Sequence, residues 1–264
     1  MCTEDRRRRT RSTRRSQIRE IVMRRSIIPV ATLPKPSRVP SLDLSSMPAD
    51  DDLRAEIAAT AARLIAEEGC EYAQAKRRAL HELMGDERTS TIPDNGEVER
   101  ELRRYLQFFE PQTHAKRLSG LRGLARSMME RLGEFEPHLT GAVLNGTATR
   151  HSDIHLHLYV DSAKDVEIFL MNAGVDFDVD DGPPDERPQM LERLTFLMPA
   201  PRDIGLPPQV DQIGFHLHVY PRDAIRVAPR RKADRAIEPD LHPVEASGRA
   251  SLAAVRRLLE DTGA

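Results

Sequence analysis

From residue 153 to residue 161 polar and apolar side chains alternate without a break, Asp-Ile-His-Leu-His-Leu-Tyr-Val-Asp. From Ile213 to Tyr220 the alternation recurs, with His216, His218 and Tyr220 opposite Ile213, Phe215, Leu217 and Val219. Successive side chains of a β-strand point to opposite faces. The first segment therefore sets Ile154, Leu156, Leu158 and Val160 against Asp153, His155, His157, Tyr159 and Asp161. Two such strands demand a sheet with one apolar face, and that face must be covered by other elements.

Residues 50–134 read as four helices. Leu53, Ile57, Ala61, Leu64 and Ile65 recur at helical spacing before Gly69, and Tyr72, Ala75, Ala79, Leu80 and Leu83 do so before Gly85. A polar loop over 86–93 follows. Asp94 and Glu97 then have capping-box spacing ahead of Val98, Leu102, Tyr105, Leu106 and Phe109. Pro111 breaks that helix, and Thr113 is the expected cap of a fourth, with the stripe Leu118, Leu121, Ala125, Met128 and Leu132 ending at Gly133. Beyond Pro137 the pattern predicts a strand over Leu139–Leu144, the strand at 153–161 and a helix from Ser162 to Gly174. It continues with a strand over Val175–Val179, an acidic Pro-rich loop at 180–189, strands at Leu194–Met198 and Ile213–Tyr220, and a last helix from about Ser251 through Leu259.

The expected fold class is α+β. A helical region over 50–136 precedes a mixed sheet over 137–264 with helices on one face. Residues 1–49 are expected to be a disordered basic tail and linker. Residues 1–25 carry ten Arg against Glu4, Asp5 and Glu20, and Pro29, Pro34, Pro36, Pro40 and Pro48 follow. The tail carries +7, so the remainder of a chain of net charge -2 carries -9. An acidic body argues against a nucleic-acid partner except through the tail. No run approaches the roughly 20 apolar residues of a membrane helix, so no membrane partner is expected. No secretory signal is legible. Cys2 and Cys70 alone cannot make a disulfide framework, so a cytoplasmic location is expected.

Two constellations point to chemistry. The first is Leu144-Asn-Gly-Thr-Ala-Thr-Arg-His-Ser-Asp-Ile-His-Leu. It resembles the signature of the polymerase-beta-type nucleotidyltransferases: an apolar strand, a Gly-Ser or similar pair, a short connection and Ser-Asp-Ile-Asp-Leu on the next strand. In such a layout a Gly turn lets backbone amides approach phosphate oxygens, and paired carboxylates hold a hard divalent cation. The resemblance implies that Gly146 and Thr147 contact a nucleoside triphosphate. It implies that Asp153 and Asp176, with Asp178 as fallback, hold Mg2+ or another divalent metal. His155 stands where the family has its second carboxylate, and imidazole suits transition metals better than Mg2+. The connection from Gly146 to Asp153 is also shorter than in many members. A catalytically inactive domain that binds a nucleotide or a protein partner is therefore an alternative.

The second constellation is the pair His155-Leu-His157-Leu-Tyr159 and His216-Leu-His218-Val-Tyr220. If the two strands are neighbours, four imidazoles cluster beside Asp153. They would then form a metal site of Asp153, His155, His157, His216 and His218, or an acid–base pair, as a metal-dependent phosphoesterase would use. The alternative is that they are polar side chains on the open face of a half-covered sheet. The chain as a whole resembles a group of proteobacterial proteins labelled UDP-N-acetylmuramate–alanine ligase, through Leu64-Ile-Ala-Glu-Glu-Gly, Ala75-Lys-Arg-Arg-Ala and Ala142-Val-Leu-Asn-Gly-Thr-Ala. A ligase of that kind needs a Gly-rich ATP loop with a Lys, and no Gly-Lys pair occurs in the sequence.

Overall fold

A computed structural model describes residues 49–85, 91–181, 189–227 and 241–263. The expected basic tail, part of the 86–93 loop and most of the 180–189 loop lie outside the described residues. Seven α-helices and six strands are described in the order α1 (Ala49–Glu68), α2 (Tyr72–Met84), α3 (Asn95–Phe109), α4 (Pro111–Arg131), β1 (His138–Thr140), α5 (Gly141–Asn145), β2 (Ile154–Val160), α6 (Ala163–Asn172), β3 (Asp178–Asp181), β4 (Glu192–Pro199), β5 (Gln212–Pro221), β6 (Ala250–Ser251) and α7 (Leu252–Asp261). The fold class is α+β, with one mixed sheet. No described helix is long and apolar enough to cross a membrane.

The described chain forms two compact units. One holds 49–111 with 149–151, the other 112–148 with 152–263. In the first, Ile57, Ala61, Leu64, Ala75, Ala79, Val98, Leu102 and Leu106 form the core. The capping box at the start of α3 is complete: the Asp94 side chain accepts from Glu97 N–H, and the Glu97 carboxylate accepts from Asp94 N–H.

In the second unit the strand order is β3-β4-β5-β2-β1-β6. β2 and β5 run parallel at the centre; the other neighbouring pairs are antiparallel. Ile154, Leu156, Leu158 and Val160 of β2 join Phe215, Leu217 and Val219 of β5 and Leu194 and Phe196 of β4 on one face. Leu121, Ala125, Met128 and Met129 of α4, Val166 and Leu170 of α6, and Val255, Leu258 and Leu259 of α7 share that core. The helices thus cover the apolar face, and the alternation in β2 and β5 turns their histidines to the other.

Four expectations need correcting. First, α4 packs with the sheet, so the boundary between the units falls at 111/112 rather than at 136. The sequence pattern could show that α4 has an apolar stripe but not which core receives it. Second, α4 begins at Pro111, so Thr113 lies inside the helix. Proline suits a first helical position because its missing N–H would have no partner there. Third, Leu139–Leu144 is not one strand. β1 stops at Thr140, Gly141 takes a positive φ of 71°, and α5 follows until Gly146 at φ 80°. The buried end of α5 is satisfied by Arg122, whose Nε and Nη2 donate to the carbonyls of Val143 and Leu144. Fourth, the strand expected at Val175–Val179 is β3, displaced to Asp178–Asp181, with Asp176 ahead of it.

Candidate functional site

The face of the sheet turned away from the helices is built in ranks, because hydrogen-bonded strands place register partners side by side, and Met190 and Ala224 pack over its Tyr159–Tyr220 end. One rank runs Arg193 (β4), His218 (β5), His157 (β2), His138 (β1) and Ser251 (β6). The next runs Asp178 (β3), Thr195 (β4), His216 (β5), His155 (β2) and Thr140 (β1). Tyr159 and Tyr220 pair beyond the first rank, their rings stacked 6.0 Å apart. Five histidines therefore share one face. The sequence motifs pointed to four; His138 was missed, although His138-Leu-Thr140 is itself a short polar–apolar–polar alternation.

The histidines are in contact with one another. The rings of His155 and His216 stack with centroids 4.6 Å apart, and His157 lies 5.5 Å from His218 and 4.9 Å from Tyr220. His155 Nδ1 and His218 Nε2 are 3.1 Å apart, and His218 Nδ1 lies 3.3 Å from Met190 Sδ. A thioether can only accept, so His218 carries its proton on Nδ1 and accepts through Nε2. His155 must then donate from Nδ1, which leaves its Nε2 as a bare lone pair. This tautomer assignment follows from the hydrogen-bond network.

Burial dominates the titration of the cluster, because an imidazolium loses hydration there. It pushes His155 down to about 4, assisted by charge repulsion from His216. His157 is likewise pushed down to about 4 by burial and then by Arg249 and His138. His218 falls to about 2 through burial and the neighbouring His155, His157 and His216. At neutral pH these three are uncharged imidazoles.

His216 has different partners. Its Nε2 faces Asp153 Oδ2 at 3.4 Å, and its Nδ1 faces Thr195 Oγ1 at 3.1 Å. The other carboxylate oxygen, Asp153 Oδ1, accepts the Gly214 N–H at 2.9 Å. A Cβ built on Gly214 would lie 2.6 Å from Asp153 Cγ, so only glycine allows this approach. Hydroxyl, imidazole and carboxylate thus form one hydrogen-bonded chain, Thr195–His216–Asp153, across β4, β5 and the start of β2. Thr195 and Gly214 carry no motif of their own; their roles come from strand register.

The residues singled out in the sequence are brought together in part. Asp153, His155, His157, His216 and His218 share the face. Asp176 does not join them. It is exposed ahead of β3, and three inter-strand steps separate β3 from β2, about 14 Å at ordinary strand spacing. Asp178 falls in the His216 rank but two strands away from it. Two ligands of one ion lie about 3–4 Å apart, so neither carboxylate shares an ion with Asp153 in this arrangement. Gly146 and Thr147 are buried. The Thr147 hydroxyl donates to Asn145 Oδ1, so this pair offers no open phosphate cradle. Arg150 is likewise committed, donating from Nη2 to the Glu67 carbonyl. Among the described residues no three His, Cys, Asp or Glu side chains are grouped so as to hold a metal ion.

No family model, no curated protein and no solved structure matches this chain.

Proposed function

We propose that the imidazole face is the working surface of the protein and that it performs general acid–base chemistry on a phosphoester. The observation that carries this reading is His216, fixed between a carboxylate and a hydroxyl at 3.4 and 3.1 Å. Asp153, anchored by the Gly214 amide, orients the ring and stabilises the imidazolium that forms when His216 takes a proton. A water within reach of Nδ1 gives its proton to His216 as its oxygen bonds to phosphorus; the P–O bond to the ester oxygen breaks, and His216 returns the proton to the departing alkoxide, so that phosphate and alcohol leave and the ring is neutral again. Neutral His155 accepts a hydrogen bond through Nε2 without adding charge, while Arg193, in register with His218, is neutralised by Asp180, to whose Oδ2 it donates at 3.0 Å.

The test is hydrolysis of p-nitrophenyl phosphate and bis(p-nitrophenyl) phosphate at pH 7.5, once in EDTA and once with Mn2+ or Zn2+. Turnover in EDTA is expected, with a loss on the order of 10²–10⁴ in His216→Gln and in Asp153→Asn. Turnover untouched by His216→Gln, or none with either substrate in EDTA, would sink the reading.

A second reading, nucleotidyl transfer, is favoured by one observation. Gly146 and Thr147 fall between the antiparallel neighbours β1 and β2, with Asp153 immediately before β2, although α5 stands where the resemblance implies the end of a strand. Calorimetric titration with ATP and Mg2+ or Mn2+ tests it; metal-dependent binding lost in Asp153→Ala would move weight to it.

A further inference from the structure

An open hollow of about 600 Å³ lies beside β6 and the start of α7, outside the Thr195–His216–Asp153 chain. Its size is that of a small-molecule site. Two guanidinium groups, Arg249 and Arg257, and the imidazoles of His138 and His242 line it, with Val244 and Ala254 among its apolar wall.

The charge on this wall is not balanced. Arg249 is half-buried, yet its partners are neutral: Nη1 donates to Tyr159 Oη at 2.6 Å and Nη2 to the Ile225 carbonyl at 2.7 Å. The guanidinium carbon also sits 5.3 Å from the centre of the Tyr159 ring. These contacts fix its orientation and leave three of its five N–H groups uncommitted. Among the described residues no carboxylate pairs with Arg249 or with Arg257. The one carboxylate in the wall, Asp261, faces His242 Nε2 at 3.2 Å. A half-buried guanidinium held by neutral groups, with a second beside the same cavity, is arranged for an oxyanion: the planar fork matches phosphate or carboxylate, and fixing it beforehand lowers the ordering cost of binding.

We propose that this cavity binds a small organic anion, its phosphate or carboxylate group taken by Arg249 and Arg257 and its apolar body resting against Val244 and Ala254. The inference stands on the cavity and its charge alone and holds whether or not the imidazole face is catalytic.

The experiment is isothermal titration of the full chain with phenyl phosphate, benzoate and inorganic phosphate. Phenyl phosphate or benzoate is expected to bind, and the tighter of the two identifies the oxyanion. Inorganic phosphate, lacking the apolar body, binds more weakly. Arg257→Gln, on the exposed side of α7, is expected to weaken binding about tenfold or more without unfolding the protein. Ala254→Leu keeps every charge and occupies the cavity, and it should abolish binding of the aromatic probes. Absence of binding by both aromatic probes, or binding equal in wild type, Arg257→Gln and Ala254→Leu, would overturn the proposal.

Discussion

Acid should dismantle this protein through its histidines. An unfolded chain titrates its imidazoles at the ordinary value of 6.5, whereas His155 and His157 are held at about 4 and His218 at about 2. The unfolded state therefore binds more protons than the folded state as pH falls below 6.5, and stability must decline. For His155 and His157 the loss accumulates until about pH 4; for His218 it continues towards pH 2. Between pH 7.5 and pH 5 each group removes about 2 kcal/mol, so the three together remove about 6 kcal/mol. Domain stabilities are typically ~5–15 kcal/mol, so most of the margin would be gone by pH 5. Urea titrations at half-unit pH steps from 7.5 to 5 measure the effect. The expected slope is about 4 kcal/mol per pH unit in the lower part of that range, falling by about a third in His218→Gln, which removes one of three titrating groups. Stability that stays flat to pH 5, or ring protons of these histidines titrating near 6.5 by NMR, would refute the burial assigned to the cluster.

Gly214→Ala should force the Asp153 carboxylate off the Gly214 amide and away from His216, at a cost of about 1–3 kcal/mol, read as a shift in the urea midpoint. Asp94→Ala removes one half of the capping box on α3 and should destabilise by about 1 kcal/mol, whereas Asp94→Asn should recover most of it. Arg122→Met strips the buried partner from Glu245 and the donors from the α5 carbonyls. A loss of about 3–5 kcal/mol is expected, measured by thermal or chemical melts, and a neutral result would mean that the network adds nothing to stability.

Much of the secondary structure was legible because its signals are local. Alternation fixed the faces of β2 and β5, Asp94 and Glu97 announced the start of α3, and Ser251, whose side chain accepts the Ala254 N–H, announced α7. Signals failed where a residue has two uses. Gly141 can end a strand or permit one to continue, and Leu139–Leu144 reads equally as one strand or as a strand and a turn of helix. β6 is two residues long and carries no period at all.

For the site, the sequence by itself determined which side chains leave the apolar face: His155, His157, His216 and His218 had to point together once their strands formed, because the side-chain period of a strand is two. Which strands are neighbours it could not determine. Pairing is a long-range choice made by packing against α4, α6 and α7, and a motif of five residues contains nothing about it. Only the tertiary structure set β2 beside β5 in parallel and in register, added His138 and Thr195 to the histidine ranks, brought Gly214 against Asp153, and left Asp176 three strands away. Polar residue types were written into the chain; which of them meet was decided by the order in which a covered sheet assembles its strands.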